Sequence, residues 1–178
     1  MNVDTTTIIV LVGVAVAMTA LQLRYRRFDL RNAALPLAMA AFFGYRYVLG
    51  APTAGNDTDL YGIGGAVGVA LGLPAGALSS LRPDARSGGM LVKGSLFSAG
   101  IFLALIAARL GFAYYAENGG YAAVRQFCID HAITSKAAIE AALMLPVVTN
   151  VLVRLGLVLA RVTYLSARLG NVRPAFAR

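Results

Sequence analysis

The stretch that decides the fold is residues 60–81, which read LYGIGGAVGVALGLPAGALSSL. It contains no charged residue and lies between Asp59 and Arg82. An α-helix needs about 20 mostly apolar residues to cross the hydrocarbon core of a bilayer. The stretch therefore predicts a membrane-spanning helix.

Within this stretch a glycine recurs at every fourth position, at Gly64, Gly68, Gly72 and Gly76. Residues four apart share one face of a helix, and a face of glycines lets a neighbouring backbone approach closely. We expect this face to pack against another helix of the same chain. The alternative is a homo-oligomer that associates through the same glycines.

The composition of the whole chain agrees with a membrane location. Of 178 residues, 58% are hydrophobic and 13% charged, with a mean hydropathy of +0.70. A soluble domain carries about 25% charged residues. The net charge of +8 comes from short basic clusters between long apolar runs, which is typical of residues that flank membrane spans. We therefore expect the lipid bilayer, and no nucleic acid, as the partner.

The length criterion predicts five spans within one membrane domain, residues 1–178. They cover residues 5–23, 33–50, 60–81, 93–116 and 137–160. No Lys or Arg precedes the first stretch, so we expect a retained span rather than a cleaved signal. Residues 120–133 are too polar to span and predict a short helix on the outer surface, with Ser135 as the N-cap of the last span. The predicted fold class is all-α, a polytopic transmembrane helix bundle.

The basic residues also predict an orientation. One set of junctions carries Arg24, Arg26, Arg27, Arg31, Arg82, Arg86, Lys93, Arg161, Arg168, Arg173 and Arg178. The opposite junctions carry only Arg125 and Lys136. Because Lys and Arg are enriched in cytoplasmic loops, the N-terminus is predicted outside and the C-terminus in the cytoplasm of a multi-pass plasma-membrane protein.

Three ionisable residues fall inside the predicted spans. At 1.5 Å per residue, Arg46 lies about 20 Å and Arg109 about 24 Å from the inner ends of their spans. Glu140 lies about 6 Å below the outer end of the last span. Two cations at similar depth require an anion, either a carboxylate (Glu140, Asp59 or Glu117) or a bound anionic or polar-headed ligand. Intramembrane charge marks this outer half as the candidate site.

Three functions are compatible with this layer. The first is a membrane protein that binds a polar, anionic or lipid-like ligand. Its predicted ligand-binding residues are Arg46, Arg109, Tyr45, Tyr47, Tyr61, Tyr114 and Glu117. An aromatic belt at the membrane interface would account equally well for the tyrosines.

The second function is a membrane-embedded enzyme, such as a terpene cyclase, that protonates an isoprenoid with a buried carboxylic acid and stabilises the cation with tyrosine faces. The candidate catalytic acids are Glu140, Asp59 and Asp57. The third function is a small transporter or channel with Arg46 and Arg109 at an anion-selective constriction.

Other polar residues carry weaker signals. Cys128 is the only cysteine, which excludes an intramolecular disulfide. With Asp130 and His131 it has no recognised metal-ligand spacing, so we predict no metal site and no cofactor. Asn150 and Arg154, one turn apart, predict an interhelical hydrogen bond near the inner interface.

Four short segments resemble a known family. They are Gly72–Gly76 (GLPAG), Leu81–Arg86 (LRPDAR), Gly89–Gly94 (GMLVKG) and Ala107–Gly111 (AARLG). Together they resemble CcdC-like small integral membrane proteins of bacteria, in particular actinobacteria, over roughly residues 20–116. The chain departs from that pattern by adding residues 117–136 and a fifth span. The resemblance implies a membrane location and no particular activity.

Overall fold

The structure is a computed structural model that describes residues 25–27, 30–84 and 89–169, together with Gly13. Its helices are α1 (Leu30–Phe43), α2 (Asp57–Ala77), α3 (Leu96–Glu117), α4 (Tyr121–Asp130) and α5 (Lys136–Leu169). A π-helical turn, Gly44–Val48, continues α1. The strands are β1 (Arg26–Arg27), β2 (Ser80–Pro83) and β3 (Met90–Lys93). The predicted first span, 5–23, lies outside the described residues apart from Gly13.

Three of the described helices are long and apolar enough to cross a membrane. They are α2, α3 and α5 over Lys136–Arg168, with hydropathies of 1.5, 2.0 and 2.0 in their most apolar windows. By length and composition, the protein is a membrane protein. The predicted second span, 33–50, corresponds to α1 and its π-helical turn, but α1 itself has 14 residues and contains Pro36.

The glycine face of α2 packs on α5. A Cβ added at Gly64 would lie 2.6 Å from the Ala142 carbonyl oxygen, and one added at Gly68 would lie 2.7 Å from the Thr149 Cβ. The contacts of Gly72 and Gly76 continue along α5, so the two helices run parallel. Only glycine permits this approach. The face considered for a homo-oligomer is therefore covered by α5 of the same chain.

A small antiparallel sheet, with strand order β1-β3-β2, corrects the all-α prediction. Ser80 pairs with Lys93 and Pro83 with Met90, and the Asp84 N–H donates to the Gly89 carbonyl at 2.8 Å. The helix predicted over 93–116 therefore begins at Leu96, three residues later than predicted. Ser95 caps α3 by accepting a hydrogen bond from the Ser98 N–H at 3.1 Å.

The sheet lies at the end of the bundle that carries most of the described basic residues, which we call the sheet end. The Tyr25 ring lies between Arg82 and Lys93, with their charged groups 5.4 Å and 5.3 Å from its centroid. Arg161 donates to three carbonyls just after or at the end of α2, those of Gly76, Ala77 and Ser79, at 2.7–3.0 Å. A cation at this position satisfies carbonyls that have no partner within the helix.

At the opposite end, which we call the α4 end, residues 49–56 and 118–135 connect the helices. Gly55 forms an isolated antiparallel bridge with Ile133, and the Asn56 N–H donates to the Ala132 carbonyl at 3.0 Å. Gly55 has a φ of +62°, and a Cβ there would overlap the Ala132 carbonyl oxygen. The backbone of the two connections is thus in direct contact.

Ser135 occupies the position before α5, as predicted for an N-cap. Its hydroxyl oxygen is buried and has no hydrogen-bond partner in the described part of the chain. The predicted capping bond is therefore missing, and the Ser135 carbonyl accepts from the Ala138 N–H at 3.1 Å instead.

Candidate functional site

Two of the predicted ligand-binding arginines meet at one aromatic ring. The Arg46 guanidinium carbon lies 5.6 Å from the Tyr47 ring centroid, and that of Arg109 lies 4.5 Å from it. Both distances are within the range of cation–π attraction. Phe43 stacks on the same ring, with 6.3 Å between centroids. The structure thus gathers Arg46, Tyr47 and Arg109 into one cluster, which we call the arginine cluster.

The π-helical turn after α1 carries both Arg46 and Tyr47 of this cluster. Its defining hydrogen bond runs from the Leu49 N–H to the Gly44 carbonyl at 3.1 Å. Such a turn is wider than an α-helical one and shifts the direction in which the following side chains project. π-Helical turns are rare and occur frequently at functional sites.

The arginine cluster has no acidic partner within residues 30–84 and 89–169. Arg109 is half-buried, and its Nε is a buried donor without a hydrogen-bond partner. Arg46 is exposed on the surface of the chain. Two adjacent guanidinium groups without a carboxylate leave a local excess of positive charge.

The predicted acidic partners lie elsewhere. The Lys136 ammonium is 3.4 Å from a Glu140 carboxylate oxygen and 3.8 Å from one of Glu117. These side chains are about one-third exposed, and ion pairs of this kind contribute roughly 0–1 kcal/mol. Asp59 is exposed on the first turn of α2. The expected pairing of Arg46 and Arg109 with Glu140, Asp59 or Glu117 is therefore absent from the described structure.

Asp57 is fully buried at the first position of α2. One carboxylate oxygen accepts a hydrogen bond from the Thr134 N–H at 3.0 Å, and the other accepts a short one from the Thr134 hydroxyl. Asp57 thus links the start of α2 to the segment just before α5.

The predicted tyrosine layer does not converge around one space. Tyr61 donates through its hydroxyl to the Pro52 carbonyl at 2.7 Å, which fixes the chain before α2. Tyr45 and Tyr114 expose 71% and 54% of their surface. Of the predicted aromatic ligand-binding residues, only Tyr47 contacts the two arginines in the described structure.

At Asn150, on α5, the structure differs from the sequence-based prediction. Asn150 is 4% exposed, and its side-chain Nδ2 has no hydrogen-bond partner among the described residues. The predicted interhelical hydrogen bond is therefore not made by this donor. Asn150 and Arg154 instead line a pocket of about 180 Å³ between α1, α3, α5 and β3. In the sequence, the four-residue spacing of Asn150 and Arg154 was the only indication that both residues lie on one side of α5.

The residues considered as metal ligands are engaged otherwise. Asp130 accepts a hydrogen bond from Gln126 at 2.8 Å, and the His131 ring stacks on Phe127 with 4.2 Å between centroids. Cys128 is buried, and burial, followed by the nearby Asp57 charge, raises the pKa of its thiol. In the described part of the chain, no group of three or more His, Cys, Asp or Glu side chains could hold a metal ion.

No protein-family model, curated protein or solved structure matches this chain. The resemblance to CcdC-like proteins thus stays a prediction, and the functional argument rests on the geometry of the chain itself.

Proposed function

We propose that this chain is a five-span protein of the plasma membrane that binds the anionic head of a lipid-like ligand at the arginine cluster. The N-terminus lies outside, the C-terminus lies in the cytoplasm, and the cluster lies in the outer half of the bundle. The observation that carries the proposal is the meeting of Arg46 and Arg109 at Tyr47 without a carboxylate partner in the described structure.

The distribution of charge between the two ends supports the orientation. The sheet end holds Arg82, Lys93 and Arg161, whereas the α4 end holds Arg125 and Lys136, and Lys136 is paired with two glutamates. An excess of Lys and Arg is typical of the cytoplasmic side. To the three long apolar helices, α2, α3 and α5, the proposal adds α1 with its π-helical turn and the apolar stretch 5–23 as two further crossings.

Guanidinium chemistry supports an anionic ligand. A guanidinium presents planar N–H donors that match carboxylate and phosphate oxygens, and such charge-assisted hydrogen bonds are about twice as strong as neutral ones. The free Nε of Arg109 supplies one buried donor for this purpose. An anion between the two arginines also offsets their mutual repulsion.

The surroundings of the cluster support a ligand with an apolar tail. Phe42 exposes 61% and Leu49 74% of its surface on the same segment as Tyr47. These side chains face outward beside the cluster, where acyl chains of the bilayer would lie. In a phospholipid with an anionic head, the head would bind the two arginines and the acyl chains would contact Phe42 and Leu49.

The enzyme alternative needs an isolated carboxylic acid in an apolar site. Asp57 already accepts two hydrogen bonds, Glu140 is paired with Lys136, and Asp59 is exposed. None of the three lines the described pocket at Asn150. We therefore favour a binding function over the isoprenoid cyclase. The transporter alternative would require a polar path from the arginine cluster to the sheet end.

The experiment compares lipid binding by three forms of the full chain. Wild type, the double variant Arg46→Gln with Arg109→Gln, and the control Arg125→Gln are delipidated and titrated with phosphatidylglycerol or phosphatidylcholine under native mass spectrometry. Arg125 is exposed at the α4 end, and Arg125→Gln removes one positive charge outside the cluster, as each substitution of the double variant removes one inside it. We expect the double variant to bind phosphatidylglycerol at least about tenfold more weakly than wild type and control. Equal binding by all three forms would overturn the proposal.

A further inference from the structure

We propose that the pocket at Asn150 is a second binding site, for a single-chain amphiphile with an anionic oxygen head. This inference is independent of the function proposed for the arginine cluster, because the two share no residue. The pocket lies between α1, α3, α5 and β3, toward the sheet end of the bundle.

The polar part of the pocket includes Asn150, whose side-chain amide has a hydrogen-bond donor without an acceptor among the described residues. Asn150 is 4% exposed and its Nδ2 has no hydrogen-bond partner in the described chain. A buried donor without a partner costs free energy, which a ligand oxygen would recover. Arg154, one turn further along α5, lines the same pocket. Its guanidinium has an interaction of its own and contributes positive charge rather than a vacant donor.

The rest of the pocket is apolar. Its other walls include Pro36, Phe102, Leu155 and Val158. A buried water needs two to four polar partners, and these four side chains offer none, so they favour an apolar group beside them. An alkyl chain beside the apolar walls, with its head oxygen at Asn150, satisfies both parts of the pocket.

The volume indicates how much of the ligand the pocket holds. At about 180 Å³ it is smaller than the roughly 300–1,000 Å³ of pockets that enclose a drug-sized molecule. It therefore receives one end of a molecule whose remainder lies along the helices. A fatty-acid-like carboxylate fits this requirement better than a compact soluble metabolite.

The test uses dodecanoate, dodecanol and acetate with the full chain in phosphatidylcholine nanodiscs. The variant Asn150→Leu removes the donor at similar volume, and the matched control Thr163→Val removes an exposed hydroxyl from the same helix. We expect dodecanoate to bind wild type and Thr163→Val alike and Asn150→Leu at least about tenfold more weakly. We expect dodecanol and acetate to bind all forms weakly.

Dodecanoate binding that is unchanged in Asn150→Leu would overturn the proposal, as would acetate binding as tightly as dodecanoate. Absence of dodecanoate binding to wild type would overturn it as well. If Asn150→Leu does not fold, Asn150→Asp keeps the side-chain shape and is expected to weaken dodecanoate binding by charge repulsion. The double variant at Arg46 and Arg109 should bind dodecanoate as wild type does, which separates this site from the arginine cluster.

Discussion

The Asp57 carboxylate accepts two hydrogen bonds from Thr134, one from its N–H at 3.0 Å and one from its hydroxyl. Asp57 begins α2, and Thr134 lies just before α5, 77 residues later in the chain. The glycine face then keeps these two helices parallel and in contact. The Asp57–Thr134 hydrogen bonds (the polar anchor) and the packing of the glycine face on α5 (the glycine seam) thus hold α2 and α5 together.

We expect Asp57→Ala to lower the free energy of unfolding by about 3 kcal/mol, because it leaves two Thr134 donors without their charged acceptor. Thr134→Val removes only the hydroxyl bond and should cost about half as much. Asp59→Ala is the matched control, since Asp59 is an exposed acid on the same helical turn. Unfolding midpoints in detergent micelles measure the differences. A loss as large in Asp59→Ala as in Asp57→Ala would contradict this role of the anchor.

The glycine seam allows a comparison within one helix. Gly64→Ala and Gly68→Ala place a methyl group 2.6 Å from a carbonyl oxygen and 2.7 Å from a Thr149 carbon, respectively. We expect each to cost roughly 1–3 kcal/mol by overpacking. Gly65 has no neighbouring atom within 4 Å, so Gly65→Ala should be neutral or stabilise α2 by up to about 1 kcal/mol. Unfolding midpoints in detergent micelles measure these differences. If Gly65→Ala destabilised the protein and Gly64→Ala did not, the packing of the glycine face on α5 would be contradicted.

The Cys128 thiol provides a pH-dependent test of the α4 end. Burial and then the Asp57 charge raise its pKa, so less thiolate forms at a given pH and alkylation by iodoacetamide should be slow at neutral pH. Because the folded-state pKa is raised, the contribution of this group to stability is complete below the unfolded-state pKa. It is lost as the pH rises through the folded-state pKa. Alkylation at neutral pH as fast as that of an unfolded peptide would be inconsistent with this packing.

The orientation can be mapped with introduced thiols in a Cys128→Ala background. Thr53 is exposed at the α4 end and Ser80 at the sheet end. We expect a membrane-impermeant maleimide to label Thr53→Cys in intact cells and Ser80→Cys only after the membrane is permeabilised. Labelling both variants after permeabilisation is the control. The reverse pattern in intact cells would place the basic end outside.

The long apolar helices could be predicted from the sequence because length and hydropathy alone define them. The sequence also predicted that the four glycines share one face of α2, since residues four apart lie on one side of a helix. The strands at Ser80–Pro83 and Met90–Lys93 were not predicted. Met90, Leu91 and Val92 fall between the predicted spans 60–81 and 93–116, and four-residue strands depend on a partner elsewhere in the chain.

Side-chain partners were the least predictable part of the candidate site. Their spacing predicted a similar depth for Arg46 and Arg109, but their meeting at Tyr47 is a contact between α3 and the π-helical turn that the spacing does not define. The bond between Asp57 and Thr134 and the pairing of Lys136 with two glutamates depend on tertiary contacts. For the same reason, Asn150 was expected to have a partner on another helix, whereas it lines a pocket and its Nδ2 has no hydrogen-bond partner in the described structure.

The most direct measurement for the arginine cluster is photocrosslinking with a phosphatidic acid analogue that carries a diazirine beside its phosphate. The labelled residues of the full chain are identified by mass spectrometry after proteolysis. If Arg46 and Arg109 hold the head group, adducts concentrate on Gly44–Val48 and on the turn of α3 around Arg109, and unlabelled phosphatidic acid displaces them. Adducts spread evenly along the lipid-facing helices, with no enrichment at these two segments, would contradict the account.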